Sequence, residues 1–271
     1  MRSLLRPLMS VAAVALSAGV VLAGTPLPDP PFSSGGFVAP DSTVYKQELN
    51  VGKLLTKYSQ GLAKCDQKAV LDLQLAYEPA NMDKVPAVQD AWTACRAKND
   101  LKYTTTRDKL LLKGTPACLD QAGIDAFRAQ IDAQFPLLGT VVFCDDGAAS
   151  PDPVTNLNIP DFKIEASGEV SAAKVLVKVG VSAAKCYTKA FGLAFKYGGT
   201  IPSELLAKID ACIAKYETYG NEAMADLDQT QKLPDCLPLA TAQALVDSTV
   251  DLAGQFSDEN YCASPSGAFL D

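Results

Sequence analysis

Eight cysteines and no histidine set the chemistry open to this 271-residue chain. Without an imidazole there is no Ser-His-Asp or Cys-His relay and no histidine metal site. Catalysis would fall to carboxylates, lysine, tyrosine or a Ser–Lys pair. The cysteines stand at 65, 95, 118, 144, 186, 212, 236 and 262, and the closest two, Cys95 and Cys118, are 23 residues apart. Zinc sites, dithiol redox motifs and c-type haem attachment all need close pairs such as C-x-x-C. Structural disulfides are therefore the reading for Cys65, Cys95, Cys118, Cys144, Cys186, Cys212, Cys236 and Cys262. The Asp145-Asp146-Gly147 run with Asp152 offers oxygen ligands, but its spacing fits no calcium loop and reads as a solvated acidic linker. There is no G-x-S-x-G, no P-loop, no G-x-G-x-x-G before a helix and no EF-hand loop. No catalytic residue, metal or cofactor is assigned.

One charged pattern stands out. Lys53, Lys57, Lys64 and Lys68 recur at the same offsets from a cysteine as Lys174, Lys178, Lys185 and Lys189. On a helix each set falls within about 60° of arc, roughly 130° from the apolar stripe. Each set forms a basic ridge, read either as a solvated face or as a docking ridge for an acidic partner or anionic surface.

The cysteines also carry an internal repeat. Their spacings are 30, 23 and 26, then 26, 24 and 26. The flanks agree: Ala63-Lys64-Cys65 with Ala184-Lys185-Cys186, Ala94-Cys95 with Ala211-Cys212, and Pro116-Ala117-Cys118-Leu119 with Pro234-Asp235-Cys236-Leu237. Lys98 and Lys215 follow the second cysteine of each set at the same distance.

Elements that would position these residues are helical. Val51, Leu55, Tyr58, Leu62, Cys65, Ala69 and Leu73 form a single stripe at the 3.6 period. The first unit predicts helices over about Val44–Tyr77, Asp83–Leu112 and Leu119–Phe135. The second predicts Glu169–Tyr197, Ser203–Gln229 and Leu239–Phe256, with Gly198-Gly199 ending the first by positive φ. The intervening Asp145–Gly168 segment, with three prolines, reads as a linker carrying a short extended piece near Phe162–Ile164. Tyr58, Tyr77, Trp92, Phe191, Phe195 and Tyr216 fall on or near the apolar stripes as core. Cysteines equidistant from a hairpin turn face each other, which predicts Cys65–Cys95 and Cys186–Cys212. Pairing the remainder within each unit then predicts Cys118–Cys144 and Cys236–Cys262.

The fold expected is all-α: two tandem disulfide-stapled helical-hairpin repeats, packed together or not into one elongated bundle. The divisions are a signal peptide at 1–23, a Pro/Gly/Ser-rich segment at 24–43, repeat one at 44–145, a linker at 146–167, repeat two at 168–263 and a tail at 264–271. Arg2 and Arg6, an apolar run of about 16 residues and Val21-Leu22-Ala23 carry the signal-peptide reading, which places the protein outside the cytoplasm, secreted or periplasmic. Its removal leaves 22 basic against 31 acidic residues, a net charge of −9. Such a chain repels nucleic acid overall, and no later stretch predicts a membrane span. The function expected is a non-catalytic exported binding or structural protein, acting on a protein or an anionic surface. The alternatives are a carrier of a small apolar ligand or lipid, and a carboxylate-based enzyme.

Overall fold

The computed structural model describes residues 39, 41–116, 119–144, 151–198 and 201–260, and all of their side chains except those of 134–140 and 255–260. The expected signal peptide and tail, and the N-terminal segment apart from residues 39 and 41–43, lie outside the described residues. Among those described, the secondary structure is helical throughout, with no strand. α1 is Ser42–Ala76, α2 Val85–Leu111, α3 Gln121–Val142, α4 Lys163–Lys196, α5 Ser203–Gln229 and α6 Leu239–Asn260. Their lengths run 35, 27, 22 and then 34, 27, 22 residues.

Local chemistry sets the helix ends. Asp41 caps α1, its carboxylate accepting from the Thr43 and Val44 amides at 2.6 and 3.0 Å. A 3-10 turn, Pro79–Lys84, delivers the chain to α2. Gly198 closes α4 at φ +63°, a conformation costly for any residue with a Cβ.

α1 and α2 form one antiparallel hairpin, α4 and α5 another, and α1 packs side by side with α4. Tyr45 at the start of α1 stacks on Phe195 at the end of α4, centroids 5.1 Å apart. At the other end the Gln74 side chain donates to the Asp161 carbonyl, so the two central helices are antiparallel. The layer order is thus α2-α1-α4-α5, with α3 packed under the first hairpin and α6 under the second. The main core joins Val70 and Leu73 of α1, Val170, Leu176 and Val179 of α4, Met224 of α5 and Val246 of α6. A second cluster gathers Leu55, Tyr58, Leu62, Tyr103, Ile124 and Ile131.

Two of the expected bridges are present. Cys65–Cys95 staples α1 to α2 and Cys186–Cys212 staples α4 to α5, with Cα atoms 5.8 and 5.9 Å apart. The other two expected pairings are wrong: Cys144 bonds Cys236. Cys118 and Cys144 flank α3, and Cys236 and Cys262 flank α6. A 22-residue helix holds its ends about 33 Å apart, far beyond disulfide reach. The segment before α6 lies instead against the start of α4, where a Cβ on Gly168 would collide with the Lys232 carbonyl. That approach brings Cys236 to the residue that follows Phe143.

Three further expectations are corrected. α3 continues past Phe135 and through Pro136 to Val142, because the buried Val142 and Phe143 and the Cys144 bridge anchor the chain beyond the proline. The extended piece at Phe162–Ile164 shrinks to Phe162, whose carbonyl accepts from the Glu165 and Ala166 amides and starts α4 six residues before Glu169. The linker is solvated only in part where it is described, with Val154 and Phe162 exposed. Asp152, Thr155, Leu157 and Ile159 are buried, and Asp152 collects bonds from the Tyr77 and Thr155 hydroxyls, the Gln89 amide and the Val154 and Thr155 backbone. Asp145, Asp146 and Gly147 lie outside the described residues.

Candidate functional site

The lysine ridges occupy the open face of the four-helix layer. Around α1, Gly61, Cys65 and Asp66 face α2, Tyr45 and Gln74 face the α4 side, and Leu55, Tyr58 and Leu62 point into the core. At about 100° per residue, Lys53, Lys57, Lys64 and Lys68 fall in the sector left over, opposite the core, and all four are exposed. Lys174, Lys178, Lys185 and Lys189 are likewise exposed on α4. Their sector lies between α1 and α5 and away from α6. Both ridges therefore look out of the same side of the layer.

The register sharpens this picture. Tyr45 reaches Gly192, which places Lys53 level with Lys185 and Lys64 level with Lys174. Interaxial distances of 8–10 Å then set the two rows of ammonium groups side by side. Lys68 is paired with Asp72 at 2.6 Å, and the Lys178 ammonium lies over the Tyr219 ring at 3.9 Å. Among the described residues, Lys53, Lys57, Lys64, Lys174 and Lys185 make no ion pair.

The outer helices add lysines that the ridge pattern did not single out. On α2, Cys95 and Asn99 face α1 while Tyr103 faces the core. Lys98, Lys102 and Lys109 are exposed beside the first ridge. On α5, Lys208 and Lys215 are exposed beside the second. The matching offsets of Lys98 and Lys215 from their cysteines were the available signal. Acidic residues do reach this side of α5, at Glu204 in its first turn and at Glu222 and Asp226 towards its far end. An acidic protein thus gathers most of its positive charge on one face.

A groove of about 360 Å³ opens on that face between α4 and α5. Leu193, Leu205 and Ile209 line it together with the Cys212 end of the hairpin bridge, and Lys189 and Lys208 flank it.

The polar cluster under the first hairpin has a different character. The Tyr58 hydroxyl donates to Asp132 at 2.6 Å and lies 3.0 Å from Asp100, while Arg128 bonds Asp100 at 2.8 Å. Two carboxylates converge here, as acid–base chemistry would require, but upon an arginine and a phenol. Burial and the neighbouring Asp132 push the Tyr58 phenol well above its ordinary value, so it remains a donor. Nearby, Arg107 clasps Asp125 through both oxygens at 2.7 Å. The cluster fastens α3 to the hairpin.

A third grouping joins Cys144, Cys236 and the buried Glu169, whose ligand atoms lie within 4.8 Å of one another. The two sulfurs are bonded to each other, so neither is a thiolate, the form that binds metal.

Among the described residues no helix is long and apolar enough to cross a membrane. The bridges match chemistry found in oxidising compartments. No family model, curated protein or solved structure matches this chain.

Proposed function

We propose that this is an exported, non-catalytic binding protein that docks through the lysine face on an anionic macromolecular surface. The observation that carries the reading is segregation of charge. The chain without residues 1–23 has a net charge of −9, yet lysines of four adjacent helices share one face. Lysines spread at random on an acidic protein would be screened by neighbouring carboxylates, whereas a one-sided array attracts a polyanion at close range. The repeat belongs to this reading. Two duplicated hairpins, related by a two-fold axis normal to the layer, bring both ridges to the same side, and the matched helix lengths support it.

The test is retention of the mature protein on a sulfated-dextran column at low ionic strength. A uniformly acidic protein passes through; this one is expected to bind and to elute with salt. Reversing Lys64 and Lys185 to Glu should move it to the flow-through. Passage of the unaltered protein, or retention unchanged by the reversal, would sink the reading.

A further inference from the structure

The groove between α4 and α5 has the makings of a small-molecule site. The hairpin bridge fixes its geometry. Lys189 follows Cys186 by one turn and Lys208 precedes Cys212 by one turn, so the two ammonium groups stand at the same level on opposite lips. Both are exposed, and among the described residues neither makes an ion pair. Between them the walls are apolar: Leu193 and Leu205 half-buried, Ile209 buried. The volume, about 360 Å³, falls at the lower end of the range for small-molecule sites.

We infer that this groove binds a single-chain alkyl carboxylate, its carboxylate between Lys189 and Lys208 and its chain along the Leu193–Leu205–Ile209 trough. Complementarity selects this ligand. A neutral alkane would leave two ammonium groups unanswered beside it, and a cationic amphiphile would be repelled. A small hydrophilic anion would leave the trough wet. An acidic head on an apolar chain satisfies both parts, with charge and hydrogen bonding fixing orientation and apolar burial supplying the favourable transfer. The inference is independent of docking on a macromolecule, since the face can hold a polyanion with the groove empty.

Isothermal titration of the oxidised protein, residues 24–271, with monomeric dodecanoate tests it. Saturable binding of one equivalent is expected, with dodecyltrimethylammonium bound weaker by about tenfold or more. The double variant K189E/K208E should lose about tenfold or more, and K189M/K208M an intermediate amount. The control K98E/K102E lies on the same face away from the groove and should bind dodecanoate as the parent does. No saturable dodecanoate binding overturns the inference. So does equal affinity for the cationic amphiphile, or an equal loss in the control. Retention on sulfated dextran, measured on the same variants, separates failure of the groove from failure of the face.

Discussion

At the level of single residues, Asp152 shows how a segment between helices becomes part of the core. Burial alone would raise its carboxyl, but bonds from Tyr77, the Thr155 backbone and Gln89 outweigh it and hold the group below the ordinary 3.8. The same contact, after burial, lifts the Tyr77 phenol to about 12. A carboxyl depressed in the folded state adds stability that is fully present above its unfolded value, near 3.8, and is lost as pH falls through the folded value. Urea melts should therefore show a drop in stability below about pH 4. Asp152→Asn should cost about 1–3 kcal/mol at pH 7, because an amide turns one of the two acceptors into a donor facing donors. Its loss between pH 7 and pH 3 should be smaller than that of the parent. An equal acid-induced loss in both proteins would remove Asp152 from the account.

At the level of elements, the two hairpins attach their third helices by different physics. Matching the cysteines of the two halves aligns Tyr58, Tyr103, Arg107, Arg128 and Asp132 with Val179, Gly220, Met224, Val246 and Val250. The first group makes the hydrogen-bonded clamp under α1 and α2, and the second is dry core under α4 and α5. A Cβ at Gly220 would meet Val246 and Val179 at 2.6 and 2.8 Å, so α4, α5 and α6 close tightly there. The clamp carboxylates are partly exposed and screened by salt, whereas apolar burial is not. Hydrogen exchange in α3 should therefore quicken between low salt and about 0.5 M NaCl, while α6 stays protected. Arg128→Met should destabilise by about 1–2 kcal/mol, leaving Asp100 and Asp132 facing each other. Equal salt response in α3 and α6 would contradict this contrast. Much of the helical layout was legible in the sequence, because a 3.6-residue stripe such as Val51 to Leu73 needs only local information. The passage of α3 through Pro136 was not. Proline signals a break locally, and only the burial of Val142 and Phe143 against distant helices overrides it. The ridges were legible as sectors of separate helices; that they share a side depends on α1 lying antiparallel to α4, which spacing along the chain does not encode.

For the whole molecule, the Cys144–Cys236 bridge matters most, since it joins the two halves across 92 residues. Closing a loop of that length contributes roughly 4–5 kcal/mol on the chain-entropy account. Replacing both cysteines with serine should lower stability by about that amount, with little change in helical circular dichroism at low temperature. A loss below about 1 kcal/mol would mean that the halves are held by packing alone. Six of the eight cysteines are assigned, which leaves Cys118 and Cys262. Exchanging the two halves turns the pair 144–236 into 262–118, so peptide mapping without reduction should recover Cys118 linked to Cys262. Finding both as thiols would contradict a two-fold relation between the halves.

The bridges also decide what a protease can achieve. A cut in the 77–84 turn leaves its two sides joined by Cys65–Cys95, and a cut at 198–202 leaves them joined by Cys186–Cys212. A cut in 151–162 or in 230–235 leaves them joined by Cys144–Cys236. No assigned bridge spans 112–116, and a Cys118–Cys262 link would not span it either. That stretch holds Leu112, 88% exposed, then Lys113 and the positive-φ Gly114. A single tryptic cleavage after Lys113 should therefore release the first hairpin as a separate band on a non-reducing gel. Nicks at the four spanned connections should change nothing visible until a reductant is added. The molecule tolerates wear at four of its joints and has one at which a single cut divides it.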